Sequence, residues 1–259
     1  MPPRGCLKHQ VDACVVSYNT RELTLETLKQ LHATTQGMPV DIWCWDNGST
    51  DTSAEALVEA SRKMPLSVIC SHKNVGYGVA LNRAFSLGNS PYLLALNSDL
   101  QFPQASWLRD LLDYMEANPD VGCTGPLLLD SEGRINGAGV VGTVRDRKIR
   151  WWRELWEKRK DQLKEPKDCI SVCGAVMLMR RTAFEECHGF DEGFPFYYEE
   201  TSLHRLMRVF GWRVVFYPGS RVIHMWNKSP KEGNSRKWFE AGDAHFKHIW
   251  GDDVKVMEE

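Results

Sequence analysis

Asn97, Ser98 and Asp99 end an otherwise apolar run in LALNSDLQF, residues 94–102. An amide, a hydroxyl and a carboxylate side by side can hold a charged ligand, and they can equally close a strand with a turn. Three other apolar runs stop in the same way: at SYN (Ser17, Tyr18, Asn19), at DNGSTD beginning with Asp46, and at SHKNVGYG, which contains Asn74, Gly76 and Gly78. DNGS is a strong turn sequence on conformational grounds alone. The glycines match neither standard phosphate motif, because Leu81 stands where a dinucleotide fingerprint has its third glycine and no G-x-x-x-x-G-K occurs. Any one of these groups alone could be a turn.

The elements that carry them change their meaning. VDACVVS (11–17), VDIWCW (40–45), LSVIC (66–70) and YLLAL (92–96) are short, apolar and rich in β-formers, as strands buried on both faces should be. Helix-like segments lie between them at about 22–35, 52–63 and 77–88, the second opened by Ser49, Thr50 and Asp51 as N-cap residues. The alternation predicts an α/β fold with a mostly parallel central sheet flanked by helices. Ligands of such sheets bind outside the carboxyl ends of the strands, so the four polar strand ends are expected to face one crevice.

Composition bounds the function. The 259 residues suffice for a large core, and 42% hydrophobic with 25% charged residues is an ordinary globular balance. A formal net charge of −2 argues against a globally cationic nucleic-acid binder. MPPRGCLKHQ lacks an apolar h-region and no run of about 18 apolar residues occurs, which predicts a cytoplasmic protein without signal peptide or membrane span. Among the eight cysteines, Cys14, Cys44 and Cys70 lie in or at the end of strand-like runs, and Cys169 with Cys173 lacks the C-x2-C spacing of a zinc knuckle. Buried, reduced thiols are expected.

The blocks VVSYNT, DNGSTDTS, NVGYGVALNRA, LLALNSD, GCTGPLLLDSEG, CGAVMLMRRTAFEECHGFDEGFPFYYEE and VIHMWNKS follow one another along the chain. In this order, over about residues 11–230, the sequence resembles the inverting family 2 glycosyltransferases of the GT-A fold, particularly the rhamnosyltransferase-like branch. The resemblance implies a single GT-A-like (Rossmann-like) domain over 1–259. Its nucleotide-sugar-binding half would be about 11–99, its acceptor-binding half about 100–230, and a helical segment would follow at 231–259. It implies a UDP- or dTDP-sugar donor, with Asp46 accepting the N3–H of a uracil or thymine ring. Groups around Ser17, Tyr18 and Asn19 would line the base pocket, while Asn74, Gly76 and Gly78 would let the chain approach the nucleotide closely.

The same resemblance puts Asn97, Ser98 and Asp99 at the family's D-x-D or N-x-D position. Asp99, with His224 of VIHMW, would hold Mn²⁺ or Mg²⁺ on the donor diphosphate, the imidazole tilting the choice towards Mn²⁺. SVCGAVMLMRR (171–181) would be a core strand whose Cys173, Gly174 and Ala175 allow close approach to the donor sugar. The base that takes the acceptor proton would belong to the pair Glu199 and Glu200, with Glu200 in the catalytic position. Here the chain departs from the family, whose Glu-Asp-x-Asp-Leu reads Glu199-Glu200-Thr201-Ser202-Leu203. The base is longer by one methylene, which keeps Glu199 as the alternative.

RDRKIRWWRELWEKRK (145–160) sets eight Lys or Arg against three acids around Trp151, Trp152 and Trp156, and a second basic and aromatic cluster follows at NKSPKEGNSRKWF. Three roles are open to them: an amphipathic helix packing its tryptophans on the core, peripheral contact with a membrane carrying a lipid-linked glycan acceptor, or contact with a polyanionic acceptor such as nucleic acid. A plain saccharide acceptor is also open. A nucleotidyltransferase of similar fold is the rival enzyme, although it would carry a glycine-rich, basic loop where this chain has SYNTRELT. A non-catalytic carbohydrate- or partner-binding relative is the rival of another class, supported by EETS.

Overall fold

The structure is a computed structural model and describes residues 10–140, 163–225 and 235–251. β1 (Val11–Ser17), β2 (Val40–Asp46), β3 (Ser67–Cys70) and β4 (Tyr92–Asn97) follow the apolar runs to within a residue at either end. They alternate with α1 (Arg21–Thr34), α2 (Ser53–Ser61) and α3 (Tyr77–Phe85). Both faces of the strands are apolar because both are covered. On one face, Val11, Ala13 and Val15 of β1 pack with Leu28 and Leu31 of α1; on the other, Cys14 packs with Ala80, Leu81 and Ala84 of α3. β4 divides likewise, Leu94 and Leu96 to one side and Leu93 and Ala95 to the other. At about 1.5–3 kcal/mol for each buried Leu, neither face can be turned to water.

The second half adds β5 (Leu100–Gln101), α4 (Trp107–Ala117), β6 (Val121–Leu129), β7 (Ile135–Gly137), β8 (Lys167–Asp168), β9 (Val176–Arg180), α5 (Arg181–Glu186), α6 (Glu199–Val209), β10 (Arg213–His224) and α7 (Ser235–Trp250). The sheet order is β3-β2-β1-β4-β9-β6-β10-β5, with β7 beside β6 and β8 beside β10. β3, β2, β1 and β4 are mutually parallel, as are β6 and β10, while β9 runs antiparallel between β4 and β6. Chain order reverses between β1 and β4, and such a switch point opens a crevice at the carboxyl edge. The buried Asp12–Arg181 pair, 2.6 Å apart, ties β1 to α5, and Asp12 also accepts from the Ser90 hydroxyl at 2.7 Å.

Several expectations need correction. The strand expected over 171–181 is only Val176–Arg180, because the chain turns just before it, the Val176 amide bonding back to the Cys173 carbonyl at 3.3 Å; the Asn97 amide carries the pairing with β4 one residue further, to the Ala175 carbonyl at 3.0 Å. The N-cap of α2 is Thr52, in a left-handed conformation with φ 64°. Asp51 does accept from the Ser53 amide at 3.1 Å, whereas Ser49 and Thr50 bond to Asp46 and Asn19 across the crevice. All seven cysteines among the described residues are free, yet Cys70 and Cys173 are exposed, since each lies at a strand end or turn where the covering helix stops. Among the described residues no helix is long and apolar enough to cross a membrane, and segment 145–160 lies outside them.

Candidate active site

Register alone brings the strand ends together: Ser17 pairs with Asp46, Asp46 with Cys70, and Val16 with Asn97. Asp46 is 1% exposed; its Oδ2 accepts the Ser49 amide at 3.0 Å, while Oδ1 is buried without a partner among the described residues. A carboxylate oxygen in that state is costly unless a donor arrives, so the position calls for an N–H.

Asn19, with φ 52°, accepts the Thr50 amide at 2.7 Å on Oδ1 and donates its own amide to Ser49 Oγ at 2.9 Å. Its side chain therefore locks the β1 loop to the β2 loop. The Ser17 hydroxyl meets Thr24 at 2.8 Å and the Ser98 hydroxyl meets Thr20 at 2.9 Å, inside a buried hydroxyl cluster that pins α1 beneath the crevice. The Ser17 carbonyl is taken by the Asn47 amide. Half-buried Tyr18 lies between Ser17 and Asn19 on the same loop.

Asn74 turns inward. Its Oδ1 accepts from Asn47 Nδ2 at 2.9 Å and from the Gly76 amide at 3.0 Å. The glycines serve close approach, but of the protein to itself. Gly76 has φ 89° and a Cβ there would stand 3.2 Å from the Pro195 carbonyl, while a Cβ on Gly78 would meet Phe190 at 2.9 Å. Both glycines thus let the 190–195 loop pack on α3.

Asp99 and His224 meet through β10. The antiparallel pairing His224↔Leu100 and the bond from the Met225 amide to the Asp99 carbonyl at 2.9 Å set the end of β10 beside Asp99. Asp99 Oδ1 lies 3.3 Å from His224 Nε2, and Asn97 Nδ2 lies 3.4 Å from the same nitrogen. Both residues are buried at the rim. Neighbouring ligands of a small divalent cation, at bonds of about 2.1 Å, are about 3 Å apart, so this donor pair fits two places in such a shell. Among the described residues no group of three His, Cys, Asp or Glu gathers for a metal.

Glu199 and Glu200 open α6 after two successive non-glycine residues in left-handed conformations, Tyr197 (φ 68°) and Tyr198 (φ 71°). Such strain persists only where the surroundings enforce it. Here α7 does so, since a Cβ on Gly242 would stand 2.9 Å from the carbonyls of Phe196 and Tyr197. Trp250 of α7 also donates to Ser202 Oγ at 3.0 Å. Glu199 is 6% exposed with Oε2 unpartnered, and burial, reinforced by the charge of Glu200, pushes it up to about 8. Glu200 is partly exposed, and loss of water raises it too. It lies against Gly174: a Cβ there would be 3.5 Å from the Glu200 carboxyl carbon. Although Cys173 as a whole is exposed, loss of water around its thiol raises its pKa, and the charges of Glu200 and Asp99 add to the effect, so both carboxylates stand close to this turn.

The sequence reading missed Asn47, whose amide bridges Asn74 and Val75, and Tyr77, whose hydroxyl donates to the Gly174 carbonyl at 2.7 Å. Both lie inside the quoted blocks, where nothing but their partners marks them.

Comparison with known proteins agrees with this layout. The model of the family described as Glycosyl transferase family 2 matches residues 12–187. The chain is 29% identical over 215 residues to an N-acetylglucosaminyl-diphospho-decaprenol L-rhamnosyltransferase of Mycobacterium tuberculosis, covering 72% of this chain and 66% of that protein. It is 28% identical over 231 residues to the O-antigen biosynthesis protein RfbC of Myxococcus xanthus, covering 86% of this chain and 18% of that one. The chain thus spans less than two thirds of the length of these curated relatives. A mannosyltransferase from Pyrobaculum calidifontis, solved with GDP-Man and Mn²⁺, superposes with TM-score 0.63 at 17% identity over 87% of this chain and 58% of that one. GalNAc-T7, solved with UDP, GalNAc and Mn²⁺, gives 0.68 at 19% identity over 95% and 50%. These two likenesses establish the GT-A fold.

Proposed function

The chain belongs to glycosyl transferase family 2, and on that premise we propose that it moves a sugar, with inversion, from a UDP- or dTDP-sugar to an acceptor hydroxyl. The observation that carries the proposal is that the Asp99–His224 pair and the Glu199–Glu200 helix start flank one turn, Cys173–Gly174. Leaving-group stabilisation and proton removal must act on either side of the same anomeric carbon, and this arrangement provides for both.

Asp46 would accept the N3–H of the pyrimidine on its unpartnered Oδ1. Asp99 and His224 would hold Mn²⁺ or Mg²⁺, which supplies Lewis-acid neutralisation of the charge growing on the departing diphosphate. Glu200, the more accessible of the acidic pair, would take the proton of the attacking hydroxyl. Its raised affinity for protons suits a base that works near neutral pH. Buried Glu199, its affinity for a proton raised by burial and by the charge of Glu200, would stay protonated beside it at neutral pH. The donor half would be residues 11–99 and the acceptor half 100–230. The name of the mycobacterial relative supports L-rhamnose as the first sugar to test and a lipid-linked diphospho-saccharide as the first acceptor.

Calorimetric titration of UDP, dTDP, GDP, ADP and CDP and their sugar conjugates, with and without Mn²⁺, tests the proposal. Metal-dependent binding confined to uridine or thymidine diphosphates is expected, with slow donor hydrolysis in the absence of acceptor. Binding of none, or of purine nucleotides alone, would overturn it.

A further inference from the structure

We propose that Tyr77 is a positioning residue for the acceptor base, its hydroxyl fixing the Gly174 carbonyl so that bare backbone backs the Glu200 side chain. The proposal rests on Glu200 being that base. The 2.7 Å bond joins the start of α3 to the turn before β9, elements that are distant in sequence. Burial pushes the Tyr77 phenol well up, so it keeps its proton and serves as a donor. Glu200 Cγ and Cδ lie 3.5 Å from the place a Cβ on Gly174 would take, so the Glu200 side chain faces this turn at van der Waals range. A turn displaced from Tyr77 would shift the wall beside the base with it.

Tyr77 is itself held on two sides. Its ring meets Phe190 edge-on, centroids 6.4 Å apart, and Gly78 brings the α3 backbone against the same phenylalanine. Before it, the Gly76 carbonyl accepts from Asn47 Nδ2 at 3.3 Å and the Val75 amide donates to Asn47 Oδ1 at 3.0 Å. Asn47 directly follows Asp46, so bonded groups run from the carboxylate proposed for the nucleotide base to the carboxylate proposed for the acceptor. The bond is only partly buried, so water can replace the hydroxyl at the Gly174 carbonyl and its loss costs little global stability. A base displaced by about 1 Å, in contrast, loses on the order of 10²-fold in rate. The hydroxyl should therefore be visible in turnover and nearly invisible in melting.

The test compares Tyr77→Phe with the wild type for kcat and KM in nucleotide-sugar turnover, for nucleotide affinity by calorimetry, and for Tm. The expected result is a kcat lower by roughly 10-fold or more, with nucleotide affinity within about twofold and Tm nearly unchanged. Added to Glu200→Gln, the same substitution should cost less than about twofold further, because it acts through the side chain already disabled. Wild-type kcat in Tyr77→Phe, a matching fall in nucleotide affinity, or an undiminished loss in the Glu200→Gln background would overturn the proposal. A wild-type protein that turns over no nucleotide sugar would overturn both this and the function it rests on, whereas an active wild type with an unaffected Tyr77→Phe would overturn this alone.

Discussion

Asp99 Oδ1 lies 3.3 Å from His224 Nε2, where short β5 pairs with the end of β10. Two ligand-type atoms at this spacing on different strands act as a unit, so losing either should have the same consequence. Asp99→Ala and His224→Ala are each expected to weaken Mn²⁺-dependent nucleotide binding by roughly 10-fold or more. Weak, metal-independent binding through Asp46 should survive. Calorimetry with and without Mn²⁺ checks this, and an unchanged Mn²⁺ response in either variant would remove that residue from the metal site.

Glu200→Gln keeps the shape of the side chain and removes its basicity. Transfer should fall by roughly 10²-fold or more with nucleotide affinity nearly intact. Single-turnover assays alongside binding separate the two quantities. Transfer at the wild-type rate would move the base to Glu199.

Glu199 carries a pH signature of its own. Burial, then the charge of Glu200, lifts it from 4.5 to about 8. Between those values the folded protein holds a proton that the unfolded chain has released, so this group's contribution to stability falls as pH rises through the window. Glu199→Gln removes the cost of ionising there. The variant should match the wild type near pH 5 and melt a few degrees higher at pH 8 in metal-free buffer. A melting curve at pH 8 equal to or below that of the wild type would mean that the charged form is accommodated.

Asp46→Asn replaces one of the two carboxylate oxygens with an NH2 donor, and because the Ser49 amide holds the remaining oxygen, that donor takes the unpartnered Oδ1 position at the proposed base pocket. Uracil and thymine present N3–H, whereas cytosine presents a bare N3. UDP and dTDP affinity should drop about 10- to 100-fold, the worth of a hydrogen bond to a charged group, while CDP should hold or gain. Equal losses for all three diphosphates would place the pyrimidine elsewhere.

The four strands of the first half were legible because each is a continuous apolar run closed by polar residues, a pattern that two-faced burial imposes. The crevice was legible too, since topology brings Asp46 and Asp99 to one edge whatever the loops do. Three features were not. Gly76 and Gly78 face Pro195 and Phe190, and no local pattern announces a partner so far along the chain. The bonds by which the side chains of Ser17, Asn19 and Ser98 brace α1 and the loops were not legible, because a polar residue at a strand end looks the same whether it binds or braces. The turn at Cys173–Gly174 read as strand because its neighbours are β-formers. What ends the strand is a turn closed by the Val176 amide on the Cys173 carbonyl, and β-formers on either side of Gly174 do not announce it.

The close seat of Gly242 on the carbonyls of Phe196 and Tyr197 also has a bearing on timing. α7 is the last described element to leave the ribosome, roughly 10–45 s after β1 at about 5–20 residues per second. The sheet and the donor-side carboxylates can form before it arrives. The strained lead-in to Glu199 and Glu200 cannot be held until it docks, so a nascent chain would gain a nucleotide pocket before it gained a base.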